Sequence, residues 1–181
     1  MLGASVHNPF TLKSRINASP VNDLAMQFTL NNSAETEAFG AALWLALPAK
    51  CLLFLHGDLG AGKTTLIRGL LRAGGYKNTV KSPTYSLVEE YQLAERQVFH
   101  FDLYRLKDPE ELEWMGMSDY LRQTALCCIE WPENGSGFLP VADIELHLQH
   151  HGDARLLEIK VLDPALKNSL QLHWKNKYIL L

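Results

Sequence analysis

Gly57-Asp58-Leu59-Gly60-Ala61-Gly62-Lys63-Thr64 decides the reading of this chain, because it satisfies the pattern G-x-x-x-x-G-K-[ST] at every fixed position. Immediately before it, Cys51-Leu52-Leu53-Phe54-Leu55 is an unbroken apolar run, the pattern of a strand buried on both faces. Immediately after it, Leu66 with Leu70 and Ile67 with Leu71 recur at helical spacing through Arg72. Strand, glycine loop and helix form the setting in which such a loop cradles phosphate. The glycines let successive N–H groups turn inward, and the helix N-terminus adds partial positive charge. An accidental match in a chain of this length is expected at roughly half a percent from average residue usage. The stretch from Gly57 to Thr65 is therefore expected to hold a nucleoside triphosphate. Lys63 would reach the β- and γ-phosphates, and the Thr64 hydroxyl would ligate Mg²⁺.

Upstream of the loop, Met26-Gln27-Phe28-Thr29-Leu30 reads as a short strand. Asn32 or Ser33 can cap the helix that follows, and Asn32 with Glu35 has capping-box spacing. That helix runs through Phe39, Leu43 and Leu47 and stops at Pro48. Downstream, Gly74-Gly75 ends the loop's own helix. Ser86 to Tyr91 and Gln97 to Asp102 read as paired strands around a polar turn at Ala94-Glu95. Asp108-Pro109-Glu110-Glu111 has helix-start chemistry, with short helices expected through Leu112 and near Tyr120-Leu121. Ala125 to Ile129 is another buried strand, and a Gly/Asn/Ser-rich loop covers 133–137. Ile144 to Leu148 and Leu157 to Val161 alternate with period two, as half-exposed strands at a sheet edge would. The fold class expected is α/β, a single-domain three-layer P-loop NTPase fold with a mainly parallel central sheet. Residues 1–25 are expected as a flexible extension, 26–162 as the folded domain, and 163–181 as a tail with a helix starting at Asp163-Pro164.

Composition narrows the function. The chain has 181 residues, of which 47% are hydrophobic and 20% charged, with net charge -3. That supports one well-formed core and gives no broad basic face for gripping nucleic acid alone. Cys51, Cys127 and Cys128 all lie in apolar runs without C-x-x-C spacing, as core residues of a reducing, cytoplasmic compartment would. No run reaches the length of a membrane span, and residues 1–22 lack the apolar core of a secretory signal. His150-His151 stands without companion ligands at metal spacing, so no transition-metal site is expected.

Nucleotide hydrolysis needs a carboxylate at the metal and a group that orients water. Two apolar strands end in acids, Val98-Phe99-His100-Phe101 in Asp102 and Leu126-Cys127-Cys128-Ile129 in Glu130. Spacing alone leaves open which of them meets Mg²⁺. Arg105 reads as an ion-pair partner of the acidic helix at 108–113, and His100, flanked by apolar residues, as a structural histidine.

Taken together, the chain strongly resembles the TsaE (YjeE) family of small bacterial ATPases. The resemblance rests on Gly57 to Thr65, Val80-Lys81-Ser82-Pro83-Thr84-Tyr85, His100-Phe101-Asp102-Leu103-Tyr104-Arg105, Asp108 to Leu112 and Ile129-Glu130-Trp131-Pro132, in the family's order across about 26–160. It implies a role in forming threonylcarbamoyladenosine next to the tRNA anticodon. By that resemblance the chain would bind ATP and Mg²⁺ and dock on a transferase (TsaD) with its scaffold partner (TsaB), meeting tRNA only through them. Thr64 and Glu130 would hold the metal, Lys63 the phosphates, and Asp102 would be the essential acid near the γ-phosphate. Ser82 to Thr84 would be a switch-like loop, Trp131 would sit beside the nucleotide, and the helix start near Ser33 would approach it. Rival classes are a small-molecule kinase, a GTPase and a non-hydrolysing binding module. Kinases generally need an arginine-rich lid, whereas Arg105, Arg122 and Arg155 are widely spread; guanine readers carry Asn-Lys-x-Asp, and Asn176-Lys177-Tyr178-Ile179 lacks the acid. The acids that end both buried strands argue against a non-hydrolysing module.

Overall fold

The computed structural model describes residues 14–16, 25–163 and 166. Its centre is the apolar run expected to be buried on both faces, β3 (Cys51–His56). Parallel neighbours flank it, β6 (Ala125–Glu130) on one side and β7 (Ile144–His151) on the other. Beyond β6 lie β5 (Gln97–Asp102), also parallel, and the edge strand β4 (Val88–Gln92), which returns antiparallel. On the other wing β8 (Ala154–Val161), β2 (Ala25–Leu30) and β1 (Ser14–Ile16) add antiparallel strands. The eight-stranded sheet runs β1-β2-β8-β7-β3-β6-β5-β4. It is thus parallel at its centre and antiparallel toward both edges.

Two helices cover one face. α1 (Ser33–Ala46) starts as the capping residues dictate, with the Asn32 side chain accepting from Glu35 N at 2.9 Å. The Glu35 carboxylate reaches back to Asn31 N at 2.8 Å, one residue earlier than a standard capping box would place it. α2 (Lys63–Ala73) packs on α1 at very close range. A Cβ on Gly40 would fall 2.0 Å from Leu66 O, and one on Gly69 1.9 Å from Glu37 O, so the backbones touch where only glycine fits. Glu37 adds ion pairs to Arg68 at 3.0 Å and Arg72 at 2.5 Å, each partly exposed and worth under about 1 kcal/mol. Leu43, Leu66, Ile67, Leu70 and Leu71 are fully buried between these helices and the sheet.

Among the described residues, the opposite face is covered over only half its width. α3 (Glu111–Trp114) and α4 (Met117–Arg122) bury Leu112 and Met117 against Phe99, Phe101 and Cys127. Asp108 and Glu111 cap the first of these turns reciprocally, with Glu111 Oε1 accepting from Asp108 N at 3.1 Å and Asp108 Oδ1 from Glu110 N at 3.0 Å. Cys127 and Cys128 point to opposite faces, as adjacent strand residues must. All the cysteines are free, and burial pushes the Cys127 thiol up to about 11.

Two expectations change. The alternating segments β7 and β8 are interior strands, not a sheet edge. Their alternation arises because α1 and α2 cover one face of this wing while the other stays half-exposed. The Gly/Asn/Ser loop opens with a 3₁₀ turn at Pro132–Gly135. Within the extension expected at 1–25, the described residues Ser14–Ile16 pair antiparallel with β2, which begins at Ala25; the remainder lies outside the described residues, and of the terminal helix expected from Asp163-Pro164 only Leu166 is described beyond Asp163, helical and buried. No helix among the described residues is long and apolar enough to cross a membrane.

Candidate functional site

The loop between β3 and α2 takes its shape from its glycines. Gly57 has φ +135°, and a Cβ there would sit 2.2 Å from Leu148 O on the neighbouring strand. Gly62, at φ +110°, is the N-cap residue that swings the chain into α2. An L side chain at either position would be strained. Ala61 N donates to Asp58 O at 3.1 Å, closing the turn, and Leu66 N donates to Gly62 O at 2.9 Å, starting the helix. The first helical N–H groups have no intrahelical acceptor and open toward the cleft beside the loop.

Lys63 is buried within this turn, with Nζ donating to Gly57 O at 2.5 Å and Asp58 O at 3.0 Å. The ammonium also lies 3.9 Å above the Trp131 ring. Burial pulls its pKa below the ordinary lysine value, opposed by the carboxylates of Glu130, Asp102, Glu133 and Asp58. Trp131 reaches this position because its backbone adopts φ +58°, turning the chain sharply at the end of β6. Its ring packs on Tyr104 at 5.0 Å.

Parallel pairing of β5 with β6 sets Asp102 directly beside Glu130 at the carboxyl ends of both strands. Both acids are buried. Glu130 Oε1 accepts from Thr64 Oγ1 and from His100 Nε2, each at 2.8 Å. Asp102 Oδ2 accepts from Thr84 Oγ1 at 2.8 Å and from Ser82 Oγ, while Oδ1 accepts from Tyr104 N at 3.0 Å. The segment 82–87 is therefore tied to Asp102 by two hydroxyls, and Leu87, at φ +64°, ends it with an N–H bond to Pro83 O at 2.7 Å.

These groups line one cleft of about 410 Å³. Of the residues expected from sequence, Leu59, Gly60, Gly62, Lys63, Thr64, Thr65, Thr84, Asp102, Glu130 and Trp131 meet there. Gly57, Asp58 and Ala61 form the loop behind it. Ser33 is exposed at the start of α1 and outside the lining; Thr36, one turn on, approaches the loop at Gly62, where an added Cβ would meet its Cγ2 at 3.6 Å. Sequence reasoning missed Tyr85, Tyr104 and Arg105. Arg105 does not pair with the acidic helix as expected. Its guanidinium lies 4.2 Å over the Tyr85 ring and donates to Tyr85 Oη at 3.2 Å. Asp108 and Glu111 are engaged in capping instead. His100, expected as a structural histidine, is buried and bonds the Glu130 carboxylate through Nε2.

The donor set suits a small hard cation. A threonine hydroxyl and two carboxylates supply oxygen only, the ligand class that Mg²⁺ prefers, and leave room for water and phosphate oxygens. A folded-back lysine and a ring of backbone N–H groups offer the charge and donors that a polyphosphate needs.

The family described as threonylcarbamoyl adenosine biosynthesis protein TsaE matches residues 30–157. Among curated relatives, the tRNA threonylcarbamoyladenosine biosynthesis protein TsaE of Haemophilus influenzae is 56% identical over 108 residues, covering 60% of this chain and 68% of its own length. The protein of the same name from Rickettsia bellii is 36% identical over 135 residues, covering 74% of this chain and 93% of its own. Among solved structures, the crystal structure of YdiB of Bacillus subtilis superposes with a TM-score of 0.74 at 22% identity. That match covers 86% of this chain and 97% of the other, and supports the fold.

Proposed function

The chain belongs to the threonylcarbamoyl adenosine biosynthesis protein TsaE family, and from that premise we propose that it is a Mg²⁺-dependent ATPase serving the formation of threonylcarbamoyladenosine in tRNA. The observation that supports this most is the meeting of Thr64, Glu130 and Asp102 in the same cleft as Lys63.

In this reading the backbone N–H groups from Gly60 to Thr65 cradle the phosphates. Lys63 releases the carbonyls of Gly57 and Asp58 and turns its ammonium to the β- and γ-phosphates. Its partial desolvation strengthens that contact, because the same charge interacts more strongly away from bulk water. Thr64 and Glu130 hold Mg²⁺, and His100 keeps the Glu130 carboxylate oriented, as a partner behind a metal ligand does. When bound, the cation neutralises charge developing on the β- and γ-oxygens. Asp102 exchanges its hydroxyl partners for the attacking water and aligns it with the γ-phosphate. Freed from Asp102, Ser82 and Thr84 can rearrange, so the order of segment 82–87 depends on the nucleotide state. The Trp131 and Tyr104 rings border the nucleotide site, and α1 approaches its loop at Thr36.

The resemblance supplies the partners, the transferase TsaD with its scaffold TsaB, and tRNA enters only through them. The chain has no strong basic face of its own, at net charge -3. A cleft whose described lining holds a single arginine, Arg105, suits a motor that couples ATP to a docked machine. Calorimetry of docking in the presence of a non-hydrolysable ATP analogue or ADP tests this. Tighter docking with the analogue is expected, with tighter nucleotide binding in the complex by reciprocity. Equal affinity in both nucleotide states would remove the coupling.

A further inference from the structure

On the half-exposed face of the sheet, next to the phosphate loop but outside the lining of the cleft, parallel pairing of β3 with β7 sets His56 beside His147. Glu145 lies two residues before His147 and so projects on the same face. The two imidazoles stack with centroids 4.4 Å apart and planes 6° from parallel. One ligand atom from each of His56, Glu145 and His147 falls within 4.8 Å of the others, the sole such cluster among the described residues. Sequence spacing carries no sign of it, because His56 and His147 belong to distant segments joined only by strand register.

The hydrogen bonds around the cluster leave it unfinished. His56 Nδ1 meets Glu133 Oε2 at 3.2 Å, which fixes the ring and makes its other nitrogen the lone pair. That nitrogen, Nε2, is buried and has no hydrogen-bond partner among the described residues. Such an orphan acceptor costs free energy unless a donor or a cation takes up its lone pair. His147 Nε2 bonds Glu145 Oε2 at 3.2 Å.

We infer that His56, His147 and Glu145 form a binding site for a divalent transition cation of the zinc class, with Glu133 holding the His56 ring from behind. Two imidazole nitrogens and a carboxylate are a zinc-type donor set with a fourth position left for water. A carboxylate on the far nitrogen of a ligating histidine is the usual outer partner. Tetrahedral bonds of ~2.0–2.1 Å place donor atoms ~3.3–3.5 Å apart. Donor pairs at the 4.8 Å limit must therefore close by about 1.3–1.5 Å. The side chains of His56, Glu145 and His147 are 24%, 26% and 28% exposed, so they have room to turn. The site is chemically distinct from the oxygen-only set at Thr64, Asp102 and Glu130. It stands independently of the nucleotide reading.

The test is titration of the full chain with Zn²⁺, and with Co²⁺ as a spectroscopic probe, in saturating Mg²⁺ to fill the hard-donor site. Expected are stoichiometric saturable binding, tetrahedral Co²⁺ bands without thiolate charge transfer, and loss of ~10–100-fold or more in affinity for His56→Ala and His147→Ala. Glu133→Gln should weaken binding by ~10–100-fold. The double variant His150→Ala, His151→Ala should bind as wild type. Should a variant fail to fold, imidazole nitrogen resonances of the wild-type chain decide: Zn²⁺ must shift those of His56 and His147. Binding unchanged in both single variants, binding lost in the His150, His151 double variant, thiolate bands, or no shift at His56 and His147 would each overturn the site.

Discussion

Replacing His100 with phenylalanine asks whether the second face of Glu130 matters to the metal. His100 is completely buried, and its Nε2 is one of two donors to Glu130 Oε1, at 2.8 Å. Its Nδ1 has no hydrogen-bond partner among the described residues, so no bond is lost there. Phenylalanine fills nearly the same volume, which keeps the packing cost low. The remaining loss is a hydrogen bond to a charged group, ~1.5–3 kcal/mol, set against relief of the buried Nδ1. Net destabilisation of no more than about 2 kcal/mol is expected in urea unfolding. Function should separate by metal. Nucleotide affinity should drop ~10–100-fold with Mg²⁺ present, the cost of losing a partner behind a metal ligand, and stay at wild type without it. His100→Gln, which keeps an N–H donor, should recover part of the loss. Equal weakening with and without Mg²⁺, or none in either, would refute the link from His100 through Glu130 to the metal.

Other variants probe separate parts. Lys63→Ala and Thr64→Ala should each slow phosphate release by ~10²-fold or more, the scale of one preorganised electrostatic contact; wild-type turnover in both would mean that the loop does not serve hydrolysis. Asp102→Asn should spare nucleotide binding and abolish turnover, whereas Glu130→Ala should weaken Mg²⁺-dependent binding, as read by titration beside single-turnover kinetics; swapped phenotypes would exchange the two roles. Gly40→Ala should cost about 3 kcal/mol in urea unfolding, because its Cβ would sit 2.0 Å from Leu66 O. A cost below about 0.5 kcal/mol would mean that α1 and α2 separate without penalty.

What sequence made legible was local. The Walker-type loop declares itself because its glycines, lysine and threonine act through neighbouring backbone, and the helix caps at Asn32 and Asp108 follow the same logic. Asp102 and Glu130 were identifiable as acids ending apolar strands. Their lateral pairing came only from the β5–β6 register. Register is also why β7 and β8 were misread as an edge: period-two alternation reports one covered face and is silent on how many neighbours a strand has. Arg105 was misassigned because charge proximity along the chain suggested an acid, while the fold offered the Tyr85 ring. The contacts of His100 with Glu130 and of His56 with His147 cross between strands and leave no local pattern.

The central claim is that this chain spends ATP on behalf of a machine it docks on. Steady-state phosphate release from Mg·ATP, measured with and without the purified transferase and its scaffold partner, tests that most directly. Slow release alone and clear acceleration in the complex, abolished by Asp102→Asn, is the predicted result. Release unchanged by the partners, or acceleration that persists in Asp102→Asn, would contradict it.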